Sequence, residues 1–387
     1  MLPFPIISQL TIQPAKPTIQ ALNFVENGVY LLYSTGELFF RGRGNSGYKG
    51  DGTNTDDQYN SWNPSNTNVI MVSTGPGPGV VIKNDGTYWI TANSNYMGLS
   101  TGYTQHTWSN CTSKFTAITS NPGNIKQIVS TGGGVFVLLY SGELYAIGSN
   151  ADGCLGLGTS TSYSVTDFTL VGTDVKKISA SANHAMYIDN NNALFSTGYN
   201  IIGQLGNDST TTGISFTKLT LGSINSYPFV QDVVCISNST IVISRMTAES
   251  DNIMLACGAA ARSGSGTPSG GYTTFVYIDT MSGATARVSA LSSTMGSANN
   301  NMIMTEKGLY AIGFGQYYQL GTGNANNVSV WTAVKSLPTT DYSTIKFFGS
   351  STEGSAFVYQ DKVYIFGVSG QWGAISSLPT LSTDTPY

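Results

Sequence analysis

The sequence predicts an all-β fold, a seven-bladed β-propeller of four-stranded antiparallel blades. Three observations predict it: a hairpin-like pattern that recurs seven times at steps of 50 to 60 residues, short apolar runs parted by turns rich in Gly, Asn and Asp, and a composition poor in charge. Charged residues are 10% of the 387, against 45 glycines and 22 tyrosines. An average soluble protein carries roughly 25% charged residues, so this surface is polar but largely uncharged. One small sheet cannot bury both of its faces, whereas sheets packed round a ring bury them against their neighbours.

The most regular part of the unit is a turn residue, two or three apolar or aromatic residues, and a small residue. It occurs at Gly36–Gly42, Gly86–Ala92, Gly142–Gly148, Asn192–Gly198, Asn252–Gly258, Lys307–Gly313 and Asp361–Gly367. Before each copy lies a second apolar run, such as Val29–Leu32, Phe136–Leu139 or Ala356–Tyr359, and a tight turn joins the two as in a β-hairpin. Further upstream, Ile125–Val129, Val175–Ile178, Val230–Val234 and Ile345–Phe348 set apolar residues around polar ones, as a third strand demands. A fourth is expected after the glycine turn, at Phe216–Leu219 and Trp331–Val334. Four short strands in each of seven units is the arithmetic of a propeller. Residues 21–387 are read as that single domain, and residues 1–20, Pro-broken and apolar at their start, as an N-terminal arm or ring-closing strand.

The turn after each third strand narrows the reading. Asn150-Ala151-Asp152-Gly153-Cys154-Leu155-Gly156, Asn200-Ile201-Ile202-Gly203-Gln204-Leu205-Gly206 and Gln316-Tyr317-Tyr318-Gln319-Leu320-Gly321 fall at one offset, and Ala182-Asn183-His184 echoes a Gly-x-x-His element. These residues resemble the regulator of chromosome condensation repeat, whose family forms seven blades with a Gly-Gln-Leu-Gly turn. Gly47–Gly50, Met97–Leu99 and Gly370–Gly373 look like worn versions of it, and the fifth unit, from Ala259 to Gly271, has lost it. The resemblance implies a scaffold or guanine-nucleotide exchange factor acting on a Ran-type GTPase. The exchange activity of that family rests on an inserted wedge loop that has no matching insertion here.

Charge and composition exclude several classes. A net charge of −4 leaves no cationic footprint for DNA or RNA. The apolar runs fall far short of the roughly 20 residues a spanning helix requires, so no membrane insertion is expected. Cys111, Cys154, Cys235 and Cys257 form no CxxC pair and are read as buried thiols, with neither a zinc site nor any other metal or cofactor expected. Asp51–Gln58 lacks the central Gly and terminal Glu of a calcium loop and reads as a solvated turn. Arg262–Gly271 lacks the spacing of a phosphate-binding loop, and Gly75–Gly79 reads as structural. With two histidines, His106 in a loop and His184 in a repeat turn, no nucleophile–base arrangement can be argued, and no enzyme is expected.

The remaining candidates are aromatics in the long loops: Tyr48, Tyr59, Trp62, Tyr96, Tyr103, Trp108, Tyr199, Tyr317, Tyr318 and Trp372. Tyr and Trp amid Asn and Ser offer rigid amphipathic contacts to a sugar or a protein. The low charge, the degenerate repeats and the absence of a basic leader at the N-terminus suggest a bacteriophage virion component: a tail, fibre or capsid-decoration protein, made in the host cytoplasm without a signal peptide. Its expected partners are other virion proteins and a host-surface glycan or protein. The alternative is a cellular scaffold or exchange factor of the kind the repeat implies.

Overall fold

A computed structural model describes residues 16–26, 28–43, 47–53, 61–92, 105–160, 164–220, 223–259, 271–278, 288–292, 300–352, 354–367 and 376–387. They form seven four-stranded antiparallel sheets, each built from consecutive strands, here denoted A to D. Blade 1 comprises β1 (Ile19–Val25), β2 (Gly28–Tyr33), β3 (Leu38–Gly42) and β4 (Asn63–Asn66). Blade 2 comprises β5 (Val69–Val72), β6 (Gly79–Lys83), β7 (Tyr88–Ala92) and β8 (Gln105–Asn110), and blade 3 β9 (Ile125–Ser130), β10 (Gly134–Leu139), β11 (Leu144–Ser149) and β12 (Ser164–Gly172). Blade 4 holds β13 (Val175–Ala180), β14 (His184–Asp189), β15 (Leu194–Gly198) and β16 (Gly213–Lys218), and blade 5 β17 (Asp232–Ile236), β18 (Ser239–Ser244), β19 (Ile253–Ala259) and β20 (Gly271–Ile278). Blade 6 has β21 (Val288–Leu291), β22 (Asn300–Thr305), β23 (Gly308–Gly313) and β24 (Val328–Ala333), and blade 7 β25 (Ile345–Ser350), β26 (Ser355–Tyr359), β27 (Lys362–Gly367) and β28 (Ser376–Leu381). The fold is thus the expected seven-bladed propeller. Two four-residue helices, α1 (Thr112–Phe115) and α2 (Ser223–Ser226), sit in D–A connections.

The B and C strands carry the apolar runs the sequence displays, and several are buried along their whole length: β2, β10, β14, β18 and β22. Burial on both sides follows from their place between neighbouring blades, which removes the polar alternation of a half-exposed strand. The D strands lie outermost and alternate or stay open, as β16 does. The core is divided into seven apolar clusters, one at each blade–blade junction. Val129, Phe136, Leu138 and Leu144 of blade 3 meet Ile178, Ala185 and Tyr187 of blade 4, and Leu22, Leu31 and Trp62 of blade 1 meet Ala356, Val358 and Ile365 of blade 7. Each cluster needs both of its blades, so the junctions between blades hold the ring together.

In blades 3, 4 and 5 the terminal glycine of the repeat, Gly148, Gly198 or Gly258, is pressed by the A–B turn of its own blade. Gly198 sits at φ 105, opposite His184 in the ladder, and a Cβ there would lie 2.5 Å from the Asn183 carbonyl oxygen. The C–D pairing bulges at this same point, between Ser196 and Gly198 in blade 4 and between Ala311 and Gly313 in blade 6. Gly75–Gly79 is structural in the same sense: a Cβ on Gly75 or Gly77 would run into the carbonyl oxygens of Ser130 or Thr131.

The inner strand of blade 5 starts two residues later than the sequence suggests. Val230 N instead donates to Asn192 O in the B–C turn of blade 4, while Gln231 N bonds to Ile243 O on β18 of its own blade. Residues 19 and 20 of the expected N-terminal arm belong to β1, and residues 1–15 lie outside the described part. Blade 1 and blade 7 each use their own four consecutive strands, so no described strand is exchanged across the seam.

Candidate binding face

The up-down order A to D places the A–B turns and C–D loops at one end of every blade and the B–C and D–A connections at the other. The two ends differ chemically. Among the described residues of the A–B turns and C–D loops the charges are Glu26, Arg43, Lys49, Asp51, Asp152 and Asp208. Lys49 Nζ lies 2.6 Å from Asp51 Oδ2, so that pair neutralises itself, and burial pushes the Glu26 carboxyl above its ordinary range. Opposite, each of the seven B–C turns holds or abuts a carboxylate, from Glu37, Asp85, Glu143 and Asp189 to Glu249, Glu306 and Asp361. Several of these carboxylates shape their own turn: Asp85 Oδ1 accepts from the Thr87 amide and hydroxyl at 2.9 and 2.6 Å. A hollow of about 630 Å³ on this charged face is lined by Arg245, Glu249, Glu306, Asp341 and Tyr342.

The C–D loops are rigid because each one described hooks the next blade. Gly158 N donates to Ile214 O (2.8 Å), Asp208 N to Thr273 O (2.8 Å) and Gly52 N to His106 O (2.7 Å), so loop n docks on strand D of blade n+1. The last glycine of the turn rests on an aromatic of that strand. A Cβ on Gly206 would lie 2.6 Å from the Phe275 ring, one on Gly156 as close to Phe216, and one on Gly50 at 2.2 Å from Trp108 Nε1. Inside the turn, Asn200 Oδ1 accepts from Leu205 N at 2.9 Å, and its amide nitrogen lies within 3.0 Å of Asn207 Oδ1, Ser209 O and Thr211 O. Asn150 does the same for Leu155 N at 3.0 Å. Both leucines are buried.

His184 ties this loop to two blades. Its Nε2 lies 3.0 Å from Thr240 Oγ1, and that hydroxyl donates to Gln204 O (2.9 Å). The imidazole therefore donates from Nε2 and accepts at Nδ1, where Ser181 Oγ stands at 2.6 Å. Full burial pushes its pKa down to about 3, so it is neutral at physiological pH. The Ser181–His184 pair is sealed from solvent. Half-buried His106 lies on β8, its backbone carbonyl held by Gly52. All four cysteines are buried and free, and burial pushes the Cys111, Cys154 and Cys235 thiols up to about 12.

The aromatics expected to bind divide three ways. Tyr48 and Trp62 are core residues. Tyr48 OH donates to Pro76 O at 3.0 Å, and Trp62 Nε1 to Ser382 Oγ at 3.1 Å. Trp108 is on β8, where Gly50 packs on it and Ser65 Oγ accepts from its Nε1 at 3.3 Å. Sequence reasoning took these rings for loop surface because the hook that covers them comes from elsewhere in the chain. Tyr59, Tyr96, Tyr103 and Trp372 lie outside the described residues. Tyr199, Tyr317 and Tyr318 stand on the loop-bearing face, half-buried or exposed. Sequence reasoning passed over the aliphatic Ile201 and Ile214 and over Phe314, which are exposed on this face beside them. The A strands surround a small central cavity of about 190 Å³, lined by Gln127, Lys177, Ser179, Val233 and Ser292. Gln127 bridges it to blade 4 by donating to Ile178 O (2.9 Å).

The model of the Regulator of chromosome condensation (RCC1) repeat family matches residues 141–188, from the B–C turn of blade 3 to β14. No curated protein sequence matches the chain. Among solved structures, the chain is similar to Prp20p from Saccharomyces cerevisiae, at 15% identity and a TM-score of 0.73 over 92% of this chain and 88% of that one. The same yeast protein bound to Kap60 gives 14% identity and a TM-score of 0.71 over 99% and 92%. Human WBSCR16 gives 16% identity and 0.71 over 88% and 87%. These likenesses show a shared fold.

Proposed function

We propose that this chain is a non-catalytic, RCC1-like propeller scaffold that binds a protein partner through the face carrying the C–D loops. The observation that carries the reading is the segregation of charge. Among the described residues, the face with the C–D loops carries six scattered charges, two of them paired with each other, on loops of Tyr, Asn, Ser, Thr and a few apolar side chains locked to the neighbouring blade, while every B–C turn on the other face holds or abuts a carboxylate. Uncharged polar and aromatic loops on a rigid frame bind at low entropic cost. The matched repeat supports the cellular branch of the expectation, and the study of Prp20p concerned its binding to Gsp1p and histones. Titration of this protein with Gsp1p and with histones tests the reading. Binding to either that Tyr317→Lys or Ile201→Lys abolishes, and that Tyr140→Lys on the opposite face spares, is the expected result. Absence of binding to both removes the RCC1-like partner class. The virion reading rests on the low charge, the degenerate repeats and the N-terminal sequence, and mass spectrometry of purified phage particles tests it.

A further inference from the structure

We propose that residues 382–387 form a releasable latch that closes the ring, in the place where a propeller can exchange a strand between its first and last blades. After β28 the chain leaves blade 7 and crosses onto blade 1. Ser382 N donates to Val363 O on β27 (2.9 Å), while Ser382 Oγ accepts from Trp62 Nε1 of blade 1. Asp384 then divides its two oxygens, Oδ1 accepting from Ser382 Oγ (2.6 Å) and Oδ2 lying 2.7 Å from Arg41 Nη1. Arg41 is on β3 and only 2% exposed, and its guanidinium stands 6.0 Å from the Trp62 ring centre. At the end Tyr387 packs edge-on against Tyr33 at 4.9 Å and hydrogen-bonds to Glu37. The contacts of Ser382 Oγ, Asp384 and Tyr387 with Trp62, Arg41, Tyr33 and Glu37 tie tail side chains to blade 1, and together they span β2, the B–C turn, β3 and the segment before β4. Each blade is otherwise built from consecutive strands, and among the described residues the seam is held by an apolar cluster, by Thr352 Oγ1 donating to Glu26 O (3.1 Å), and by this strap. Strand exchange would release only with unfolding of a blade, whereas a side-chain strap releases by rotamer changes. The seam therefore opens as a local unit while blades 3 to 5 stay closed.

Amide hydrogen exchange on the full chain tests this. Asp384→Asn removes the charge opposite a buried guanidinium, and Tyr387→Ala removes the exposed end of the strap. Each is expected to raise exchange about tenfold or more in β1–β3 and β25–β27 while leaving β13–β19 unchanged. The double substitution Arg41→Met with Asp384→Leu removes the buried charge together with its partner and is expected to restore most of the protection lost in Asp384→Asn. Acceleration spread evenly over all blades, or no change at the seam, overturns the proposal. Should Asp384→Asn fail to fold, Tyr387→Ala decides alone, since a surface tyrosine is dispensable for folding unless it holds the seam.

Discussion

At the residue scale, His184 shows how a motif that reads as chemistry becomes structure. Unfolded, its imidazole takes up a proton below about pH 6.5; folded, burial delays that to about pH 3. The depressed pKa means that the unfolded state binds the extra proton first, so stability is complete above pH 6.5 and falls as pH drops below it. The loss approaches 1.36 kcal/mol per pH unit, or about 2 kcal/mol at pH 5. Urea titrations of wild type and His184→Gln at pH 7 and pH 5 are expected to show the larger drop in wild type, and equal drops would refute the assignment. The turn glycines allow a similar separation of effects. Gly158 and Gly206 both have left-handed φ, 81° and 67°, but a Cβ on Gly158 meets only Ser215 Oγ at 3.7 Å, while one on Gly206 collides with Phe275. Gly158→Ala should cost about 1 kcal/mol for the backbone alone and Gly206→Ala roughly 2–3 kcal/mol, a difference that thermal melts resolve.

At the element scale, the hairpins were legible because their signals are local. A turn residue, an apolar run and a terminal glycine lie within a dozen positions, and the glycine is imposed by the adjacent A–B turn. The C–D loops were only half legible. Their Asn-x-x-x-x-Leu-Gly spacing stood out, but its purpose, an asparagine side chain closing the turn so that the loop can grip the next blade, depends on contacts with strands about 60 residues away. For the same reason Trp108 read as a free ring when it is the anvil under Gly50. Blade 6 shows how far the device tolerates change. Gly315 stands where Asn150 and Asn200 do, Asn327 Oδ1 accepts from Gly315 N (3.0 Å) instead, and Tyr318 takes the left-handed position (φ 57) that Gly153 and Gly203 fill in blades 3 and 4. The buried amide of Asn200 is accordingly the element's pivot. Asn200→Ala leaves Leu205 N and several acceptors unpaired and should cost roughly 2–4 kcal/mol. Hydrogen exchange of residues 199–212 is expected to accelerate more than that of the flanking strands. Equal acceleration would mean that the loop is held from outside rather than by its own asparagine.

At the scale of the whole molecule, the seven-fold period made the architecture readable, whereas the division of charge between the faces could not be read. It emerges only when the alternating direction of the strands sorts each turn to one end or the other. That sorting gives the proposed function a measurable signature. Among the described residues, a partner seated on the C–D loop face meets few charges beyond Arg43, Asp152 and Asp208, since Lys49 and Asp51 cancel and Glu26 is largely buried. Counterion displacement and long-range steering then contribute little, and the affinity for Gsp1p or histones, whichever binds, should change less than about threefold between roughly 0.05 and 0.3 M salt. A partner seated on the opposite face would meet the carboxylates of the B–C turns and the hollow bearing Glu249, Glu306 and Asp341, and its affinity would fall steeply over the same range. Isothermal titration at the two ionic strengths therefore reports which end of the ring is used without a further structure. A steep salt dependence, together with loss of binding in Tyr140→Lys, would move the interaction surface to the turn face even if the scaffold role itself stood.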